Sequence, residues 1–248
     1  SFSYNLETEE QKEIAKIGTQ EFIKLIPYVL TFIPEISKVE IIDHTSSDTI
    51  AFEKELNPFD SQVIEISKTM KDKTSIIHLL SKSNDDIAVA AMLDVVDGGY
   101  SFKNMDDIPK LFCDYPLIGT ENFYFPVVVN SFFFNPQTER DGIWLKDKKE
   151  GQDSEVIENQ KLLSDAVVLY KDLLETATEN NIFFDFFHIC ETRIPSTNEK
   201  YFDENWYEEV IQQPLREIIF NAEIVEVETG ADKKKISDLW FPLKSYTT

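Results

Sequence analysis

The run from Phe125 to Phe134, FPVVVNSFFF, restricts this chain more than any other stretch. Val127-Val128-Val129 and Phe132-Phe133-Phe134 put apolar side chains on both sides of an extended backbone. A strand of that kind is stable only inside a sheet covered on both faces. The pattern therefore predicts an unbroken central strand that stops at the Asn135-Pro136 turn and delivers a polar tip, Gln137-Thr138-Glu139-Arg140. Asn130-Ser131 interrupts the apolar run, and a buried Asn needs partners, because an unpaired one costs roughly 1–3 kcal/mol. Trp144 and Leu145 read as a return strand after Asp141-Gly142.

Around this strand the periodicity changes along the chain. Phe2-Ser3-Tyr4 reads as a short strand. Thr8-Glu9-Glu10-Gln11 has the form of a capping box. Ile14, Ile17, Phe22, Leu25, Ile26 and Val29 come next at helical spacing, with Pro27 expected to kink or end the helix near Ile26. From Lys38 the period becomes two. Val39 to Asp43, Thr49 to Glu53, Val63 to Ser67, Thr74 to Leu80 and Ile87 to Val96 alternate, with polar turns between them. That is an antiparallel meander, ended by Asp97-Gly98-Gly99. Farther on, Lys146 to Ser154 is a charged loop, and Glu155 to Thr178 carries two apolar rows of a helix. Ile182 to Cys190 reads as a buried strand. Asp203 to Asn221 reads as a helix broken into two pieces by Pro214, and Ile224 to Val227 as a late strand. Leu239-Trp240-Phe241 is expected to pack near the end. The order predicts an α+β fold with a mixed, largely antiparallel sheet and packed helices. The weakest seam lies between Asp97 and Asp107, which divides the chain into domains 1–105 and 106–248.

Charge narrows the partners. There are 46 acidic against 24 basic residues, a formal net charge of −22. Such a surface repels phosphate backbones and anionic lipid, so neither nucleic acid nor membrane is expected as a partner. Cys113 and Cys190 are far apart and outside any CxxC spacing, which fits thiols packed as small hydrophobes in a reducing cytoplasm. No run is long enough to span a membrane, and the chain does not begin with Met, so it is expected to be a piece of a longer protein.

Chemistry-bearing motifs are few. His44, His78 and His188 are widely separated, with no HxxxH or HExxH spacing, so no metal is expected. Neither GxSxG nor a phosphate-cradling glycine motif occurs. Cys190 lies two residues after His188, a spacing that puts both on one strand face, and the pair reads as packing. At the tip two readings stay open. A strand-end Arg140 forks well onto phosphate oxygens, and it also pairs readily with Glu139, Asp141 or another acid.

Phe125-Pro126-Val127-Val128-Val129-Asn130-Ser131-Phe132-Phe133, then Glu139-Arg140 and Trp144, resembles a strand of sacsin-like GHKL ATPases, LPVHVNGxFxLSxNRRxLW. That superfamily includes DNA gyrase B, MutL and the ninety-kilodalton heat-shock chaperones. Val128 stands where His is usual, Ser131 for Gly, and Glu139 for the first Arg, which bears on any role needing two adjacent cations. The helix, the segment Leu25 to Phe32 and the strand from Lys38 also resemble the region downstream of the nucleotide domain in such proteins. The resemblance implies a transducer module with a ribosomal-protein-S5-like topology in the C-terminal half. It implies a chaperone-like coupling of ATP hydrolysis to movement. Arg140 would contact the γ-phosphate with Gln137 as helper, Thr138 would lie against the nucleotide, and Pro126 and Asn130 would be structural. ATP and Mg2+ belong to the full-length protein, with none expected for this segment. The expected partners are an upstream ATP-binding domain of the same chain and a protein client. In isolation the segment is expected to be a monomer without ATPase activity. The competing expectation is an acidic protein-interaction scaffold without nucleotide linkage.

Overall fold

A computed structural model of the protein describes residues 5–44, 48–55, 63–147, 153–196, 200–227 and 233–239. The fold is α+β with a largely antiparallel sheet. It divides into two compact units, Ser1–Ile77 and His78–Thr248. The seam expected between Asp97 and Asp107 lies inside the second unit.

In the first unit, α1 spans Glu9–Phe32. Its capping box forms as the sequence suggests: the Gln11 amide donates to the Thr8 hydroxyl, and the Thr8 amide donates to Gln11 Oε1. Pro27 does not end this helix. The Thr31 hydroxyl donates to the Pro27 carbonyl at 2.8 Å, and every residue from Leu25 to Phe32 is buried. Packing on all sides outweighs the one backbone hydrogen bond that proline removes. Ile14, Ile17 and Phe22, read as part of the same apolar row, are exposed. α1 packs on β2 (Asp48–Lys54) and β3 (Val63–Met70). β1 (Lys38–Asp43) pairs antiparallel with β2, and β2 with β3. A two-residue turn, Lys71 and Asp72 both left-handed, leads into β4 (Lys73–Ser83), which begins in this unit and ends in the next.

In the second unit, His78–Ser83 of β4 pairs antiparallel with β5 (Ala88–Val96). The turn between them is held by Asn84 Oδ1, which accepts from the Asp86 and Ile87 amides. β6 (Gly99–Phe102) returns along the end of β5. β7 (Leu111–Cys113) and β8 (Tyr115–Pro116) form a tight pair. β9 (Val128–Asn130) lies antiparallel to β5 on one side and parallel to β7 on the other. It is therefore central, and Val127, Val128 and Val129 are fully buried. It is much shorter than the strand expected from Phe125 to Phe134. The Ser131 hydroxyl donates to the Asp86 carbonyl at 2.7 Å and accepts from the Phe133 amide at 3.1 Å. Those bonds turn the chain, and Phe132 and Phe133 emerge 69% and 46% exposed.

α2 (Ser154–Glu179) packs on β5 and buries Leu162, Leu163, Ala166, Tyr170, Leu173 and Leu174. Ile157, counted in its second apolar row, is exposed. β10 (Phe183–Phe184) pairs parallel with β6. The approach demands Gly99, where a Cβ would stand 2.0 Å from the Ile182 carbonyl oxygen. The buried strand expected over Ile182 to Cys190 stops there. Asp185 turns left-handed at φ 57°, and Phe186–Ile189 winds into a 3-10 turn with Phe187 on the surface. α3 (Glu204–Tyr207) and α4 (Gln213–Asn221) are joined by a π turn over Glu208–Gln212. The expected break at Pro214 is thus absorbed as one widened turn, a usual response to a missing donor. β11 (Glu223–Val225) pairs with β12 (Lys234–Lys235). Trp144-Leu145 forms no return strand. A single bridge joins Pro136 to Ile143, and the Leu145 amide donates to the Tyr201 carbonyl. The strand expected at Phe2 to Tyr4, the Trp240-Phe241 packing and part of the loop Lys146 to Ser154 lie outside the described residues. Among the described residues, no helix is long and apolar enough to cross a membrane.

Candidate functional site

β9 delivers the chain to a loop fixed at its base. Asn130, 6% exposed, accepts from the Asp114 amide at 2.9 Å and so caps the β7–β8 turn. That bond gives the buried Asn130 oxygen its partner, and Pro126 is buried as well. Asn159 on α2, wholly buried, accepts from the Asn135 amide at 2.8 Å and donates to the carbonyls of Asn135 and Trp144, each at 2.9 Å. One side chain therefore clamps the loop where it leaves and where it returns. Within it, the Gln137 amide donates to the Gly142 carbonyl and the Arg140 amide to the Gln137 carbonyl.

The four tip residues diverge. Gln137 points inward: it is 9% exposed, and its Nε2 donates to the Ile143 carbonyl at 3.1 Å. The sequence has it projecting with Arg140; in the fold it braces the loop instead. Thr138, Glu139 and Arg140 are exposed. Arg140 adopts a left-handed backbone, φ 56°, which costs a non-glycine residue roughly 1–2 kcal/mol. No carboxylate among the described residues lies within ion-pairing distance of its guanidinium. Its neighbour is the half-buried Cys113 thiol, which donates weakly to the Phe132 and Phe134 carbonyls. Burial pushes that thiol up from its ordinary value, and the Arg140 guanidinium beside it opposes the shift.

Beside the loop lies a cleft of about 240 Å³. Phe123 and Phe202 are buried in its wall, and Tyr201 stands at its side with Trp144 edge-on at 4.7 Å. Asn122, Gln137 and Asp141 bring polar atoms to it. Tyr207 packs behind Phe123 and Phe202, and its buried hydroxyl finds no partner among the described residues.

A second polar centre escaped the motifs. Lys110 is 5% exposed and donates to the Met105 carbonyl at 2.9 Å. Burial pulls its ammonium down to about 8, against the opposing pull of Asp106 and Glu191. Glu191 is itself engaged by Arg193 at 2.6 Å, and Arg193 lies over the Tyr124 ring. No sequence signal marks Lys110. Asn159 did leave one: it shares a helix face with Val156 and Leu163, an amide on an apolar stripe. His188 sits on a 3-10 turn that Cys190 caps, rather than both on a strand face, and burial pushes the Cys190 thiol up to about 12. The described residues hold no cluster of His, Cys, Asp or Glu that could bind a metal. No protein-family model, curated protein or solved structure matches the chain.

Proposed function

We propose that the chain is a transducer module of a GHKL-type ATP-binding protein, chaperone-like, whose Arg140 reads the γ-phosphate of ATP bound by another domain of the same protein. The observation that carries this reading is the tip: a guanidinium that is exposed, without a carboxylate partner among the described residues, on a loop clamped at both ends by Asn159. Rigid anchoring matters because a phosphate sensor works by being in place before the charge develops. A strained backbone at the presenting residue is a feature that clusters at functional positions. Thr138, exposed next to it, is available to the nucleotide. Gln137 acts through the loop, holding its shape from inside. On this reading the C-terminal half has S5-like transducer topology, ATP and Mg2+ sit on the partner domain, and a protein client responds to the movement. With both cysteines unpaired, the cytoplasm is the compartment proposed.

The test is Arg140→Ala in the full-length protein. ATP turnover is expected to fall by about a hundredfold, the scale of losing one preorganised donor at a transition-state charge. Arg140→Lys should recover only part of it, since an ammonium cannot fork onto two oxygens. Unchanged turnover would sink the reading and leave an acidic interaction scaffold.

A further inference from the structure

We infer that the cleft beside the tip receives an arginine side chain of a protein partner. Among the described residues that line it, Asp141 is the only charged side chain, and it is a carboxylate. Gln137, nine-tenths buried, donates one amide N–H to the Ile143 carbonyl, and its carbonyl oxygen can accept. Asn122 adds a second neutral acceptor on the cleft wall. Three aromatic residues, Phe123, Tyr201 and Phe202, also line it, with the aliphatic Ile143 and Leu145 and the hydroxyl-bearing Thr120 and Ser196. Acceptors and aromatic side chains lining one cleft suit a planar cation. A guanidinium stacks on rings, forks onto a carboxylate and sheds water more readily than an ammonium. The Tyr201 ring already receives one cation, with Lys200 Nζ 5.1 Å from its centroid, and Lys200 is not part of the cleft wall.

A volume of about 240 Å³ suits one long side chain rather than an extended ligand. Free arginine would bring an α-carboxylate and an α-ammonium, further charged groups, to a cleft beside Asp141 on a chain of net charge −22. An arginine within a peptide carries no such charge, and the same net charge steers a cationic segment inward. The inference does not depend on the nucleotide reading, because it concerns a different group and a different ligand.

The experiment titrates the whole chain with a blocked peptide, acetyl-Gly-Arg-Gly-amide, by calorimetry and by amide NMR shifts. Parallel titrations use the citrulline peptide, the lysine peptide and free arginine. The arginine peptide should bind, with shifts at Gly119 to Phe123 and Gln137 to Leu145. The uncharged citrulline peptide and the Asp141→Asn variant should each weaken binding by at least about tenfold. The lysine peptide should fall between. Asp141 is exposed, so the variant should keep the parent's thermal midpoint. Absent binding, equal binding of the citrulline peptide, or an unaffected Asp141→Asn variant would overturn the site. Free arginine binding more tightly than the peptide would overturn the protein partner in favour of a free guanidino compound.

Discussion

Lys110 shows how one buried ammonium sets a pH response. Its ordinary value of 10.5 drops to about 8 in the fold, chiefly because burial penalises the charged form. Below pH 8 the group is charged in both folded and unfolded chains, and the folded state bears the whole penalty. Between about 8 and 10.5 the folded chain gives up its proton first, the penalty fades, and this group's contribution to stability rises with pH. Cys190 runs the other way. Its thiol, ordinarily at 9.0, is held up to about 12, so stability is lost as pH rises through that window and the unfolded thiol ionises first. Lys110→Met should therefore be more stable than the parent at pH 7, by something on the order of 2–3 kcal/mol. The advantage should shrink at pH 10. Urea midpoints at the two values check it, and a constant difference would mean that the methionine acts through packing alone.

At the scale of elements, the tip depends on α2 as much as on β9. Asn159 makes three hydrogen bonds across the base of the loop. Asn159→Ala leaves the Asn135 amide and two carbonyls without their partner, so a loss of about 2–3 kcal/mol is expected in urea unfolding. Hydrogen exchange should quicken most at Gln137 and Leu145. Uniform quickening across the sheet would instead point to global destabilisation. These elements also show what the residues revealed beforehand. The meander, the capping box at Thr8 and the long helix α2 were legible because period, cap and turn chemistry agree there. The central position of β9 was legible too, since valines apolar on both faces have nowhere else to go. Its length was not: Ser131 ends it through a bond to the Asp86 carbonyl, a partner 45 residues away. Phe132, Phe133 and Phe187 read as core by composition and lie on the surface, because local turns won over hydrophobicity. At the site, Arg140 was legible as a presented cation. The inward turn of Gln137 was not, since it arises from the loop's own backbone geometry.

For the molecule as a whole, charge is the dominant long-range term. A formal net charge of −22 strains any folded chain of this size by self-repulsion. Several of its cations already lie in exposed ion pairs, such as Lys24 with Glu21 and Lys103 with Asp94, which contribute little each. Raising ionic strength from about 0.01 M to about 0.15 M shortens the screening length from roughly 30 Å to roughly 8 Å. The thermal midpoint, monitored by circular dichroism, should rise over that range. A falling midpoint would show that attractive pairs outweigh the repulsion.

Gly142 lines the cleft and lies two residues after Arg140. A methyl group there would press on the Gln137 amide nitrogen at 3.0 Å. That amide is the pin on which the loop turns, and the same loop carries Asp141 on one flank and Arg140 on the other. A side chain at 142 must therefore shift the amide that braces the loop from inside.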